Sequence, residues 1–176
     1  LFTQGYRYMF AVLSTSEYYL APVLDIMADT AKAMGKNPAD LRISMAFEND
    51  GFSLDVRAGV VEKAKEYGMK IVIDDKLPAD LSDMSATLTK TKALKPDILL
   101  VSGHSKGAAT AARQIEEMKI DVPLIAYTHC EAAKVQEKFP KSAQGVMCPS
   151  QGLSSLPKKG DYFGDAAKWI ADFKKA

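Results

Sequence analysis

The chain has 176 residues, of which 47% are hydrophobic and 26% are charged, values typical of one soluble α/β domain with its own core. A net charge of +1 favours neither nucleic acid nor an anionic membrane as a partner. No apolar run approaches the ~20 residues that a membrane helix needs, and no signal peptide is visible in the chain. The chain begins Leu1-Phe2-Thr3, without an initiator Met, which leaves open that it is a piece of something longer.

Strand and helix patterns alternate along the chain. The linker 151–160 is rich in Ser, Pro, Lys and Gly, and 77–83 is an extended connection. In chain order the pattern predicts strand 8–13, helix 17–34, strand 42–47, helix 52–67, strand 70–74, helix 84–94, strand 97–101, helix 108–118, strand 123–127, helix 132–139, strand 145–148 and helix 161–175. The strands are apolar throughout, which is typical of parallel strands buried on both faces. We therefore predict an α/β fold, an open parallel sheet of five to six strands with helices on both faces.

The chain has two cysteines, Cys130 and Cys148, and two histidines. The cysteine spacing matches no metal-binding pattern, so we predict neither a metal site nor a cofactor. The cysteines either form a disulfide in an oxidising compartment or remain as small buried hydrophobic residues. The sequence leaves both possibilities open and slightly favours the buried thiols.

Ligands of open α/β sheets bind at the carboxyl ends of the strands. Both histidines, His104 and His129, fall in segments that follow predicted strands. The segments expected at this edge of the sheet are 14–16, 49–52, 103–105, 128–131 and 149–151.

One of these segments, GHSKG at 103–107, is a literal G-x-S-x-G, the pattern with which α/β-hydrolases present a nucleophilic serine. A hydrolase of that fold would also need an acid and then a histidine after Ser105. His129 is the only later histidine, and no oxyanion-loop motif is present. The acids available between them lie on a helix flank or at the wrong end of a strand: Glu116, Glu117 and Asp121. A serine hydrolase is thus the less favoured alternative, and we interpret the segment as a ligand-lining loop.

Several short motifs follow one another in a recognisable order. They are FENDGFS at 47–53, YGMKIV at 67–72, LPADLSDM at 77–84, KPDIL at 95–99, RQ at 113–114 and VPLI at 122–125. The series resembles the periplasmic solute-binding proteins of the branched-chain amino acid (Leu/Ile/Val) ABC-transporter family. The resemblance implies one lobe of a two-lobe type I periplasmic binding protein. It implies a ligand-binding lobe over 1–150, and a linker and helix over 151–176 that would cross to the missing lobe.

The resemblance also implies the ligand contacts. The aromatic residue of the family's Tyr-Gly pair falls on Phe52, and the cleft loop after the fourth predicted strand falls on His104 and Ser105. The loop after the fifth falls on Thr128 and His129. Phe52 lacks the tyrosine hydroxyl, so ring stacking is expected there without a hydrogen bond.

The ligand chemistry follows from two departures from the family pattern. Ser53 stands where the family has Gly, and the acid nearest to the ammonium-binding position is Glu131. Neutral His and Thr side chains suit a hydroxyl or carbonyl better than an ammonium. The expected ligand is a small solute with a carboxylate and an apolar body, an aromatic acid first and a branched or apolar amino acid second.

The function implied is that of a non-enzymatic solute-binding component of an ABC transporter, periplasmic or extracellular and lipid-anchored, whose partner is a membrane permease. A ligand-sensing domain of a receptor or regulator is the alternative, since sensors share this architecture. Neighbouring permease and ATPase genes would distinguish transport from sensing.

The apolar face of helix 161–175, with Trp169 beside it, favours a homodimer through residues 161–176.

Overall fold

The computed structural model describes residues 5, 7–8, 13–150, 159–160 and 164–175. The strands are Arg42–Glu48 (β1), Lys70–Leu77 (β2), Ile98–Ser102 (β3), Leu124–Tyr127 (β4), Lys159–Gly160 (β5) and Gly164–Asp165 (β6). The α-helices are Ala21–Ala33 (α1), Gly51–Tyr67 (α2), Ser85–Leu94 (α3), Ser105–Glu117 (α4), Ala133–Lys138 (α5), Pro140–Ala143 (α6) and Ala166–Phe173 (α7). Two 3-10 turns are Ser16–Tyr18 and Pro38–Asp40. No helix among these residues has both the length and the apolar character needed to cross a membrane.

The main sheet is parallel and has the strand order β2-β1-β3-β4, while β5 and β6 form a small antiparallel pair. It therefore has four strands instead of the five or six predicted. Most of the predicted strand 8–13 lies outside the described residues. The predicted strand 145–148 makes a single parallel bridge, Met147 to Ala126, beside β4. Gly145, with φ +79°, turns the chain just before this bridge, and Pro149 cannot extend the ladder after it.

Helices cover both faces of the sheet, as predicted. Side chains alternate between the two faces of a strand, so β1 contributes to two separate cores. Ile43, Met45 and Phe47 pack with α1 and α2, whereas Ala46 packs on the other face with residues of α3 and α4. Complete burial of each large side chain contributes about 1.5–3 kcal/mol to the stability of the fold.

The loops after β1 and β3 lead directly into helices. Asp50 caps the N-terminus of α2 by accepting a hydrogen bond from the N–H of Ser53, and His104 occupies the N-cap position of α4. Gly68 ends α2 in the left-handed region, with φ +70°, as predicted. The N-termini of α2 and α4 therefore lie at the carboxyl edge of the sheet.

The first predicted helix, 17–34, is divided in the structure. Ser16–Tyr18 forms a 3-10 turn, and α1 begins only at Ala21, with Pro22 in its first turn. Proline is tolerated there because its missing N–H has no intrahelical acceptor in the first turn of a helix. The division places Tyr19 between the two elements, with its side chain partly buried.

Cys130 and Cys148 form a disulfide, with their Cα atoms 5.6 Å apart. The slightly favoured interpretation as free buried thiols is therefore wrong. Cys130 follows β4, and Cys148 follows the residue that bridges to β4, so the pairing of Met147 with Ala126 brings the two cysteines together. This contact depends on the tertiary path of residues 145–148, which the spacing of the cysteines does not reveal.

We predict that Gly59→Ala destabilises the fold. A Cβ at Gly59 would lie 2.0 Å from the carbonyl oxygen of Glu17, so the backbone of the 3-10 turn must move away from α2. Such overpacking costs about 1–3 kcal/mol, more than the gain in helix propensity from glycine to alanine. Urea unfolding measures the effect. Gly51→Ala in the same helix is the matched control, because its Cβ would meet nothing within 4 Å. Equal unfolding free energies for the two variants would contradict the prediction.

Candidate functional site

The carboxyl edge of the sheet gathers four rings, Tyr19, Phe52, His104 and His129, which we call the aromatic cluster. The ring centroid of Phe52 lies 5.6 Å from that of His104 and 5.7 Å from that of His129, and the two imidazole centroids are 5.7 Å apart. Tyr19 meets Phe52 edge-on, at 5.3 Å. The structure thus brings together three of the five residues predicted to bind the ligand and adds a fourth ring.

Thr128 and His129 fasten the loop that follows β3. The buried hydroxyl of Thr128 accepts a hydrogen bond from the N–H of Gly103, at 3.0 Å, and donates to the carbonyl of the same residue, at 2.6 Å. Nδ1 of His129 lies 2.9 Å from that carbonyl oxygen, and since a carbonyl only accepts, Nδ1 carries the proton. Nε2 of a neutral His129 is therefore the acceptor. His129 itself has φ +59°, a strained conformation typical of functional sites.

Ser105 is the first residue of α4 and is exposed to solvent, as is His104 before it. The first N–H groups of a helix have no intrahelical acceptors, and the helix dipole places partial positive charge there. The N-terminus of α2, next to Phe52, has the same polarity. This edge of the lobe therefore offers rings for an apolar body and N–H groups for an anion.

Glu48, the last residue of β1, lies beneath this surface and is only 1% exposed. A Cβ at Gly103 or Gly107 would come within 2.5 or 2.6 Å of its Oε1, so the loop and the first turn of α4 rest directly on the carboxyl group. Its other oxygen, Oε2, is buried and has no hydrogen-bond partner among the described residues. A buried polar atom without a partner requires an explanation.

The pKa of Glu48 is raised to about 7, mainly by burial and further by Asp50, which acts both as a hydrogen-bond partner and as a nearby negative charge. A hydrogen bond from the backbone N–H of His104 lowers the pKa, but by less. Partial burial alone would raise the pKa of Asp50 as well. Hydrogen bonds from Ser53 and from Glu48, with the charge of His104, outweigh that effect and lower the pKa of Asp50 below its usual value. Glu48 is thus the carboxyl group that holds a proton, and Asp50 is the one that remains ionised.

Atoms of Glu48, Asp50 and His104 that could coordinate a metal ion lie within 4.8 Å of one another, close enough for one cation to contact all three. The positive ends of α2 and α4 disfavour a cation at this place. Both oxygens of Asp50 also accept hydrogen bonds from Ser53. A proton shared by the two carboxyl groups accounts for the cluster without a metal. In the second group of potential ligands, around Glu131, the cysteines are joined as a disulfide.

The sequence pattern missed Tyr19 and Glu48. Tyr19 was hidden because the helix 17–34 appeared continuous. For Glu48 a signal was available, since the alternation along β1 places it on the same face as Ser44 and Ala46, facing α4.

A cavity of about 450 Å³ adjoins the aromatic cluster at Tyr19. It is lined by Ser14, Tyr18, Tyr19, Pro22, Val23, Ile26, Met147, Cys148, Pro149 and Ser150.

The sequence profile and the sequence relatives that match this chain point to the same protein family. Residues 3–176 match the sequence profile of a family described as periplasmic binding protein. A Leu/Ile/Val-binding protein homolog 8 from Brucella abortus (strain 2308) is 22% identical over 115 residues, which are 65% of this chain and 28% of that protein.

Solved structures share the fold. A leucine binding protein from Thermotoga maritima MSB8 is similar with a TM-score of 0.76 and 16% identity, covering 98% of this chain and 46% of that chain. A solute binding protein of an ABC transporter from R. palustris, in complex with benzoate, has a TM-score of 0.69 and 12% identity, covering 91% of this chain and 41% of that one. This chain thus spans less than half of the length of each of these relatives.

The family and fold are those of solute-binding proteins, which are not enzymes, so the prediction that the chain is not an enzyme is confirmed. The geometry agrees with this. In a catalytic triad the histidine's second nitrogen would contact an acid, whereas Nδ1 of His129 donates to the carbonyl of Gly103.

We predict that Thr128→Val destabilises the loop after β3. Valine keeps the volume of threonine but leaves the N–H of Gly103 without its buried acceptor, which costs about 1–3 kcal/mol. Thr128→Ser keeps the hydroxyl and is the matched control. Unfolding free energies in urea measure the difference, and hydrogen exchange of the Gly103 amide should be faster in the valine variant. Equal stability of the two variants would mean that the hydroxyl does not hold the loop.

Proposed function

This chain belongs to the periplasmic binding protein family, and on that premise we propose that it is part of the solute-binding component of an ABC transporter. It would capture a small solute outside the cytoplasm, in the periplasm or at the cell surface, and deliver it to a membrane permease. The observation that carries the proposal is the aromatic cluster at the N-termini of α2 and α4, a binding surface without a catalytic arrangement. The disulfide between Cys130 and Cys148 fits an oxidising compartment.

The ligand we propose carries a carboxylate and an apolar body, preferably aromatic. The rings of Phe52 and Tyr19 offer flat apolar walls, and the first turns of α2 and α4 offer N–H groups and partial positive charge for an anion. An ammonium group would need an ionised carboxylate at this surface. Glu48 is buried and is the carboxyl group that holds a proton. Asp50 is ionised but already engaged, because both its oxygens accept hydrogen bonds from Ser53 and its Oδ2 lies 3.6 Å from Nε2 of His104, so we assign an ammonium no partner here.

The relatives support this order of preference only indirectly, because identities this low establish the fold and not the ligand. The R. palustris protein was crystallised in complex with benzoate, and the Thermotoga maritima protein is described as leucine binding. Aromatic carboxylates are accordingly our first choice and branched or apolar amino acids our second.

Each predicted site residue receives a proposed role. Phe52 stacks on the apolar part of the solute, and His104 and His129 contribute ring edges and hydrogen bonds. Ser105 adds its hydroxyl and the N–H groups that follow it to the anion-binding surface. Thr128 is buried with its hydroxyl on Gly103, so we assign it the positioning of the loop and no direct contact with the solute.

The rest of the binding site belongs to a second lobe in this proposal. In this proposal residues 1–150 form the ligand-binding lobe, and 151–176 lead the chain towards its partner lobe. Affinity in such proteins arises when both lobes close over the ligand. One lobe alone should therefore bind weakly.

A thermal-shift screen of the full-length protein tests the ligand class. We expect benzoate-like carboxylates to raise the melting temperature most and leucine or valine to follow, since ligand binding to the folded state stabilises it. Phe52→Ala should weaken binding by about tenfold or more through loss of the stacked ring. Phe52→Tyr keeps the ring and is the matched control. A screen in which only cationic solutes or polyols raise the melting temperature would contradict the proposal.

We further propose that this chain dimerises through residues 161–176. Trp169 and Phe173 stack on each other at 5.3 Å on α7, and they are 52% and 70% exposed. Two adjacent exposed rings favour burial against a second copy. Light scattering of the 176-residue chain should give a dimer, and a version ending at Ser155 should give a monomer. If both are monomers of equal stability, with Trp169 emission typical of full water exposure, the dimer is ruled out.

A further inference from the structure

We propose that Glu48 is a proton-linked positioning residue of the ligand-binding surface, which shares one proton with Asp50 and weakens solute binding when that proton is lost. The inference rests on the proposed function, since it concerns a carboxylate solute bound at the N-termini of α2 and α4. In this proposal the protonation of one buried side chain makes solute binding at that surface depend on pH.

The first argument is geometric. Glu48 reaches the loop after β3 from below, and the loop and the first turn of α4 pack closely over it, since a Cβ at Gly103 or Gly107 would lie 2.5 or 2.6 Å from its Oε1. The carboxyl group is buried in this position, with the residue only 1% exposed. Its Oε2 is buried and has no hydrogen-bond partner among the described residues. A carboxylate oxygen of Asp50 lies within 4.8 Å of a carboxyl oxygen of Glu48. Two carboxylates held this close, one of them buried, cannot both stay ionised.

The second argument concerns the charges around the pair. At the N-cap of α4, Nε2 of His104 lies 3.6 Å from Oδ2 of Asp50, and the His104 side chain is exposed. From the connection after β2, Asp80 adds a further negative charge that favours the protonated form of Glu48, while Lys106 lies 3.6 Å from Asp80. The apolar side chain of Leu81 lies beside Gly107, where it adds no charge. Protonated Glu48 leaves the pair with one negative charge, which is balanced by His104 when that ring is protonated.

The consequence for the solute is electrostatic. Loss of the Glu48 proton adds one full negative charge directly beneath the first turn of α4, where the proposed anion binds. That charge opposes the partial positive charge of the helix N-terminus and repels the carboxylate of the solute. The ligand-binding surface should therefore hold its solute more tightly in mildly acidic than in mildly alkaline solution.

The binding test measures the dissociation constant of benzoate and of leucine by calorimetry, on the full-length protein, between about pH 5.5 and about pH 8.5. Wild-type affinity should fall by about tenfold over this range, the size expected when one unit charge is added near a bound anion in a partly solvated site. Glu48→Gln has a neutral side chain of the same shape and should lose this fall. Because the glutamine variant keeps His104, the difference between the two profiles isolates Glu48 from the titration of the imidazole.

A ligand-free test addresses the shared proton itself. Carbon-13 NMR of the glutamate side chains in this chain, with the Glu48 signal assigned by its loss in Glu48→Gln, should show Glu48 titrating near neutral pH. The unfolding free energy should agree. The folded chain keeps a proton that the unfolded chain releases near the ordinary value of 4.5, so wild-type stability should fall as the pH rises from about 4.5 to above 7. Glu48→Gln should lack that fall, and Glu116→Gln, which removes an exposed carboxylate from α4, is the matched control.

The outcomes separate this inference from the proposed function. An ordinary acidic titration of Glu48, or identical pH profiles of affinity in wild type and Glu48→Gln, would overturn the inference. A pH dependence that disappears with a chelator would also overturn it, in favour of a bound cation. Failure of every carboxylate solute to bind at any pH would overturn the proposed function, whatever the NMR titration shows.

Discussion

The parallel pairing of β1 with β3, and of β3 with β4, is the constraint from which the site follows. Parallel strands end at one edge of the sheet, so the residues after each strand meet there although they are far apart in sequence. Phe52, His104 and His129 follow three different strands, yet their ring centroids lie within 5.7 Å of one another. The same edge receives the N-termini of α2 and α4, because those helices start within a few residues of the strand ends. The topology therefore places the rings beside the free N–H groups of two helix N-termini.

A second constraint acts beneath this edge. Burying an ionised carboxylate costs several kcal/mol unless the charge is paired, so an ionised Glu48 at the end of β1 would destabilise the fold. The alternation of the strand directs the Glu48 side chain towards α4, and Gly103 and Gly107 pack directly over its carboxyl group. A proton reduces the cost of burial and at the same time provides the hydrogen bond to Asp50. A change in the protonation of this one carboxyl group would therefore affect both the stability of the fold and the charge beneath the N-terminus of α4.

The sequence was sufficient where the physical signal is local. Apolar runs such as the one in the predicted strand 97–101 identified buried strands, here the observed Ile98–Ser102, and Gly68 marked the end of α2. The strand ends located Phe52, His104 and His129 at one edge, and the aromatic cluster agrees with that placement without testing their role. The sequence failed where the signal depends on tertiary contacts. The reduction of strand 145–148 to one bridge, the disulfide and the contact of Tyr19 with Phe52 all depend on the path of the chain in space.

The segment GHSKG shows why a short motif needs its structural context. In a hydrolase the two glycines permit the sharp turn that exposes a nucleophile. Here a Cβ at Gly103 or Gly107 would lie 2.5 or 2.6 Å from Oε1 of Glu48, so glycine at both positions lets the loop and α4 pack closely over that carboxyl group. Ser105 stands at the first position of α4, exposed, and His129 uses Nδ1 to hold the carbonyl of Gly103. The same five letters here accompany close packing of a loop and a helix over a buried acid, so the motif alone does not identify a nucleophile.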